Sequence, residues 1–195
     1  AISLGAAEIT LKEMVGAYTT YVNHGFYSEP HYVTRIEDKH GNVIARFGPD
    51  QNEVFSDQTA YVMLQFLKDV VNLGTGQRLR RTYGIQAQDL GGKTGTTQEN
   101  TDGWFMAVIP DLVAGTWVGG DDAVVSFRST ALGQGAHMAL PIYGKFLQKV
   151  YADESLRIEP NAKFMEPAEP LNIELDCSRY RSGAAENDDY DELMY

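Results

Sequence analysis

The sequence predicts an α+β fold in which an antiparallel sheet packs against helices, with a small separate hairpin. Two observations carry this. Residues 104–109 and 112–119 are long apolar runs separated only by Pro110-Asp111. Two turn residues join antiparallel neighbours, whereas a parallel pair needs a crossover of a dozen residues or more. Three other stretches repeat apolar side chains at helical spacing.

Each element follows in order. Thr10 and Glu13 have capping-box spacing. Met14, Val15, Tyr18, Tyr21 and Val22 then give a helical stripe, which Gly25 ends. Residues 31–47 read as a hairpin, with β-rich runs 31–37 and 43–47 around the turn Asp38-Lys39-His40-Gly41-Asn42. Ser56 is the N-cap of a second helix. Tyr61, Met63, Leu64, Phe66, Leu67, Val70 and Val71 make that helix apolar on more than one face, the pattern of a helix covered on both sides. It ends at Asn72-Leu73-Gly74, and a loop runs from Gly74-Thr75-Gly76 to Arg81, its arginines solvated. Residues 91–97 form a short strand, and 98–103 a polar loop with an Asp102-Gly103 turn. Trp104, Phe105 and Trp117 read as strand core. A third helix covers about 137–151, with Pro141 in its first turn and Ile142, Phe146, Leu147 and Val150 as its stripe. Pro160, Pro167 and Pro170 mark an extended segment over 158–177, and 178–195 is an acidic tail expected to be disordered.

Composition excludes several classes. The net charge is −11, against a nucleic-acid surface, which needs a basic footprint. Glu186, Asp188, Asp189, Asp191 and Glu192 supply five of those charges; removing them from −11 leaves −6. No apolar run approaches the roughly 18 residues of a membrane helix. Cys177 is the only cysteine, so no disulfide framework or cysteine zinc cluster is expected, and the thiol reads as inert. His24, His31, His40 and His137 lack metal-ligand spacing and fall at turns or helix ends. The N-terminus is not a signal peptide, and the missing initiator methionine suggests a trimmed chain.

The chemistry concentrates in Gly92-Lys93-Thr94-Gly95-Thr96-Thr97. A phosphate-binding P-loop also ends in Gly-Lys-Thr. It requires a glycine five residues before Gly92, where Ala87 stands, and a helix starting at the lysine. The alternative is the Lys-Thr-Gly strand of penicilloyl serine transferases, which these residues resemble; the resemblance implies a lysine on an edge strand, facing a carboxylate-bearing substrate. Thr94 and Thr96 then add hydroxyl donors, Gly95 leaves room for a peptide to lie alongside, and a backbone N–H near Thr96 helps hold an oxyanion.

The surrounding residues resemble class A penicillin-binding proteins. The resemblance rests on Lys93-Thr94-Gly95, on 102–122 as the two following strands, and on Leu4-Gly5 to Tyr18 as the helix after the second catalytic motif. Gly74-Thr75-Gly76 and Ala139-Leu140-Pro141-Ile142-Tyr143 match the family's Gly-Thr-Gly loop and last helix. The match is collinear over about residues 2–150. The family's order is Ser-x-x-Lys, Ser-x-Asn, then Lys-Thr-Gly. No lysine here has serine three residues before it, and no Ser-x-Asn occurs; Tyr21-Val22-Asn23 reads as a helix end. The chain therefore resembles the C-terminal half of a transpeptidase domain (residues 1–157), a partial β-lactamase/transpeptidase-like fold whose nucleophile, two sheet strands and central helix come from upstream.

The resemblance implies peptidoglycan cross-linking by serine D,D-transpeptidation. Lys93, Thr94, Gly95 and Thr96 are the implied catalytic residues, and Thr97 and Gln98 contact substrate. No nucleophile, metal or organic cofactor belongs to this chain. The implied partners are peptidoglycan stem peptides, β-lactam antibiotics and the missing upstream half. The implied setting is a membrane-anchored protein with this domain on the outer face. The isolated chain is expected to be inactive, and to self-associate through apolar surface the other half covers. A β-lactam-sensing or hydrolysing relative and a non-catalytic interaction module are the alternatives.

Overall fold

The computed structural model describes residues 7–122 and 124–175. Helix α1 spans Leu11–Val22, and its capping box forms as the sequence predicts: the Thr10 hydroxyl accepts from Glu13 N–H while the Glu13 carboxylate accepts from Thr10 N–H at 2.8 Å. After α1 the chain enters an arm. Strands β1 (Phe26–Ser28) and β4 (Gln51–Glu53) pair at its base. Strands β2 (Arg35–Glu37) and β3 (Val43–Arg46) form the expected hairpin, and the Asp38 carboxylate accepts from the N–H groups of His40 (2.8 Å) and Asn42 (2.9 Å) inside its turn. Helix α2 (Asp57–Asn72) starts at the Ser56 cap. The His24–Asp57 pair, 2.8 Å apart, ties its first turn to the end of α1.

Strands β5 (Gly91–Thr96), β6 (Asp102–Ile109) and β7 (Leu112–Gly119) form one antiparallel sheet in that order, so β5 is an edge among the described residues. The Pro110-Asp111 turn joins β6 to β7 with Ile109 opposite Leu112. Alternation gives the sheet two faces. Phe105, Ala107 and Ile109 meet helix α5 (Gly135–Ala152), where Leu140, Tyr143 and Leu147 are fully buried. Val108 meets Leu64 and Leu67 of α2, together with Tyr18 and Tyr21 of α1.

The C-terminal segment packs onto this second face. Phe164 is buried against Leu64, Leu67 and Val108. The Asp89 carboxylate accepts from the Phe164 N–H (2.8 Å) and pairs with Lys68 at 2.5 Å, and Pro160 O accepts from the Gln88 N–H (2.7 Å). The tail expected to be disordered and Cys177 lie outside the described residues.

Several expectations need correction. The third helix begins at Gly135, so Pro141 sits in its second turn, and the His137 carbonyl loses its intrahelical donor there. Its buried stripe is Ala139, Leu140, Tyr143, Leu147 and Val150; Ile142 and Phe146 are exposed. Helix α2 buries Ala60, Leu64, Leu67 and Val71, but Phe66 is 53% exposed, because the described residues cover one side only. Asp102-Gly103 is the start of β6, not a turn; the reversal is made by Glu99 and Asn100, both at positive φ (62° and 58°). Part of the arginine loop is a short helix, α3 (Arg78–Arg81), and another short helix, α4 (Thr130–Gly133), precedes α5. Its arginines are not simply solvated: Arg78 donates to Ala136 O (2.8 Å), and Arg80 to Ile85 O (3.1 Å) and Ala87 O (2.5 Å). Trp117 is 39% exposed and is not core.

Burial pushes the Tyr18 hydroxyl up to about 12, and Tyr21 stands edge-on beside it at 5.6 Å. The unfolded chain releases that proton near 10, so stability is fully present below pH 10 and is lost as pH rises towards 12. The urea midpoint should fall over that window and fall less in Tyr18→Phe. Matching profiles for the two proteins would contradict this assignment.

Candidate active site

The candidate site expected from the sequence falls on the exposed half of β5. Gly91 and Gly92 lie buried under α2, and the strand then emerges at Lys93, which is exposed. Alternation puts Lys93 and Gly95 on one face and Thr94 and Thr96 on the other, so their polar groups converge only at the open edge. The Lys93 ammonium donates to Thr94 O at 2.7 Å, so the charge is held against the strand. A peptide laid along this edge finds unpaired backbone groups beside a cation, the arrangement that strand addition uses.

Each threonine hydroxyl has a defined neighbour. Thr96 Oγ1 accepts from Gly135 N–H at 3.1 Å, satisfying the first amide of α5, whose own N-cap residue, Gln134, makes no side-chain cap. With its oxygen engaged there, Thr96 keeps its proton for an outside acceptor. Thr94 Oγ1 lies 2.8 Å from Thr75 Oγ1. One hydroxyl of that pair donates to the other, and the acceptor keeps a proton to offer. Gly95 packs beneath Trp104, whose Cβ a side chain there would approach to 3.1 Å.

Thr97 and Gln98 belong to the turn that follows. The Thr97 hydroxyl is taken up within it, accepting from Asp102 N–H (2.8 Å) and lying 2.7 Å from the Thr101 hydroxyl. Gln98 is exposed on the short 3-10 turn Gln98–Asn100. The Asp102 carboxylate organises the turn: it accepts from Trp117 Nε1 (2.8 Å) and the Thr101 hydroxyl (2.9 Å). Thus β5 brings Lys93, Thr94, Gly95 and Thr96 together, while the exposed Thr97 engages its hydroxyl within the turn. Sequence reasoning missed Thr75 and Gly135 as neighbours of these hydroxyls. The Gly-Thr-Gly motif was a signal for Thr75; nothing local marked Gly135, which meets Thr96 across 39 residues.

The family model for the penicillin binding protein transpeptidase domain matches residues 1–120. The chain belongs to that transpeptidase family. Curated relatives agree. Penicillin-binding protein 1A of Pseudomonas aeruginosa is 27% identical over 94% of this chain and 27% of the relative. Penicillin-binding protein 1A of Aquifex aeolicus is 32% identical over 82% of this chain and 21% of the relative. The chain thus spans about a quarter of the length of these relatives.

The crystal structure of penicillin-binding protein 1A from Haemophilus influenzae superposes with a TM-score of 0.74 at 25% identity, covering 86% of this chain and 29% of that one. The PonA1 protein of Mycobacterium tuberculosis, solved in complex with penicillin V, shares the fold at a TM-score of 0.62 and 22% identity, over 86% of this chain and 44% of that one. The expected α+β, partial transpeptidase fold and the resemblance to class A penicillin-binding proteins are both borne out. Among the described residues of this transpeptidase chain, no helix is long and apolar enough to cross a membrane.

Proposed function

We propose that this chain forms the Lys-Thr-Gly wall of a serine D,D-transpeptidase site that cross-links peptidoglycan stem peptides on the outer side of the membrane. The observation that carries the reading is the open end of β5, where Lys93, Thr94 and Thr96 present an ammonium and hydroxyl donors along an unpaired strand edge. A stem-peptide carboxylate is the complementary ligand, and charge-assisted bonds from Lys93 and the threonines would hold it. With the donor strand so fixed, a serine from outside these 195 residues attacks the penultimate carbonyl. The terminal D-alanine leaves with a proton as the acyl-enzyme forms, and an acceptor amine then takes the acyl group. The Thr96 N–H helps hold the developing oxyanion. β-Lactams bind as mimics whose ring opens to the same acyl-enzyme.

Acyl transfer needs an activated nucleophile, and the sequence holds neither Ser-x-x-Lys nor Ser-x-Asn. A fluorescent penicillin should therefore label the full-length protein covalently and leave the isolated 195-residue chain unlabelled. Stable labelling of the isolated chain would refute the division of the site. Lack of labelling of the full-length protein would refute the transpeptidase reading itself. Exposed Phe66, Ile142 and Phe146 support the further expectation that the isolated chain self-associates.

A further inference from the structure

We propose that Thr75 is a positioning residue: its hydroxyl donates to Thr94 Oγ1 and so turns the Thr94 proton outward, towards the substrate carboxylate. The proposal rests on the reading of β5 given above. Its geometric basis is the 2.8 Å contact between the two hydroxyls, which joins the turn after α2 to the edge strand across 19 residues.

That turn is built to hold Thr75 in place. Gly74 N–H donates to Asp69 O and Val70 O, both at 3.1 Å, and Gly76 N–H donates to Val70 O at 2.9 Å. The turn is wrapped tightly onto the last residues of α2. A Cβ on Gly74 would lie 3.0 Å from Val70 O, and one on Gly76 would lie 3.1 Å from both Val70 O and Val71 Cα. Either side chain would make the turn or the end of α2 give by a few tenths of an ångström, at the residues that flank Thr75. The two glycines therefore explain the motif: they let a single threonine be clamped against the strand.

The consequence is a fixed direction for one proton. A lone threonine hydroxyl rotates among staggered positions and spends its proton on whatever acceptor is near. With Thr75 donating to its oxygen, Thr94 can offer its own proton only away from Thr75. Both side chains lie at the surface, Thr75 exposed and Thr94 half-buried, so an exposed hydroxyl pair of this kind adds little to stability. Its effect belongs to binding.

The test uses the full-length protein and two probes, benzylpenicillin and its methyl ester, in which the carboxylate is masked. Thr75→Val should slow acylation by benzylpenicillin about threefold to tenfold, the value of one neutral hydrogen bond. Thr75→Ser should restore the rate, and both variants should melt as the wild type does. The methyl ester should acylate wild type and Thr75→Val at the same rate. Thr94→Val should slow benzylpenicillin at least as much, and adding Thr75→Val to it should change nothing further. A wild-type rate for Thr75→Val beside a slowed Thr94→Val overturns the role of Thr75 alone. Wild-type rates for both overturn the reading of β5 on which it rests. Equal slowing with the ester overturns the link to the carboxylate.

Discussion

Replacing Lys93 with alanine in the full-length protein is expected to slow acylation by benzylpenicillin about 10²–10³-fold, the scale for removing one preorganised electrostatic donor from an acyl-transfer site. The expectation follows from position. Lys93 is the one ammonium on β5, at the point where the strand leaves the cover of α2. Its hydrogen bond to Thr94 O holds the charge at the strand edge, so little rearrangement is needed when a carboxylate arrives. Because Lys93 is exposed and makes no ion pair among the described residues, its loss should leave the melting temperature nearly unchanged. Lys93→Arg keeps the charge but not the compact ammonium, and should recover only part of the rate. Stopped-flow or gel-based acylation kinetics read the effect. A wild-type rate for Lys93→Ala would remove this lysine from the site.

Gly135→Ala is expected to be strongly destabilising, costing about 3 kcal/mol, the upper end of the range for overpacking. A Cβ at Gly135 would overlap the carbonyl oxygens of Gly95 and Trp104. Those atoms are sheet backbone and cannot rotate aside. The start of α5 must retreat from the sheet, and its amide then leaves Thr96 Oγ1. Stability and acylation should therefore fall together. Gly48→Ala is the control, since a Cβ there meets nothing within 4 Å and its φ is ordinary; it should be neutral. Chemical denaturation of the two variants decides the point, and wild-type stability for Gly135→Ala would contradict the close approach.

How much of this was legible in the sequence varies by element. The caps at Thr10 and Ser56, the 31–47 hairpin and the Pro110-Asp111 turn were all readable, because each depends on residues within four positions of one another. Strand β5 was readable from its motif and its neighbours. The errors share a cause. Asp102-Gly103 has the local chemistry of a turn, yet Asp102 begins β6 because its carboxylate is captured by Trp117 of β7 and by Thr101. Arg78 and Arg80 look like solvated charges, yet they donate to carbonyls in the first turn of α5 and in the loop before β5. Ile142 and Phe146 match the helical period as well as Leu140 and Tyr143 do, and only the position of the sheet selects which face is buried.

The sequence by itself determined the family, the three long helices, the hairpin and the strand that carries Lys93, Thr94, Gly95 and Thr96. Those are properties of short patterns: periodicity, caps, turns and one motif. Only the tertiary structure decided what each hydroxyl does. Thr94 meets Thr75 across 19 residues, and Thr96 meets the first amide of α5 across 39. Thr97, one residue further along, engages its hydroxyl within the turn with Asp102 and Thr101. The physical reason is that a hydroxyl's role is set by which donor or acceptor lies within about 3 Å of it. In this fold those partners arrive from the end of α2 and the start of α5, brought there by glycines whose missing side chains permit the approach.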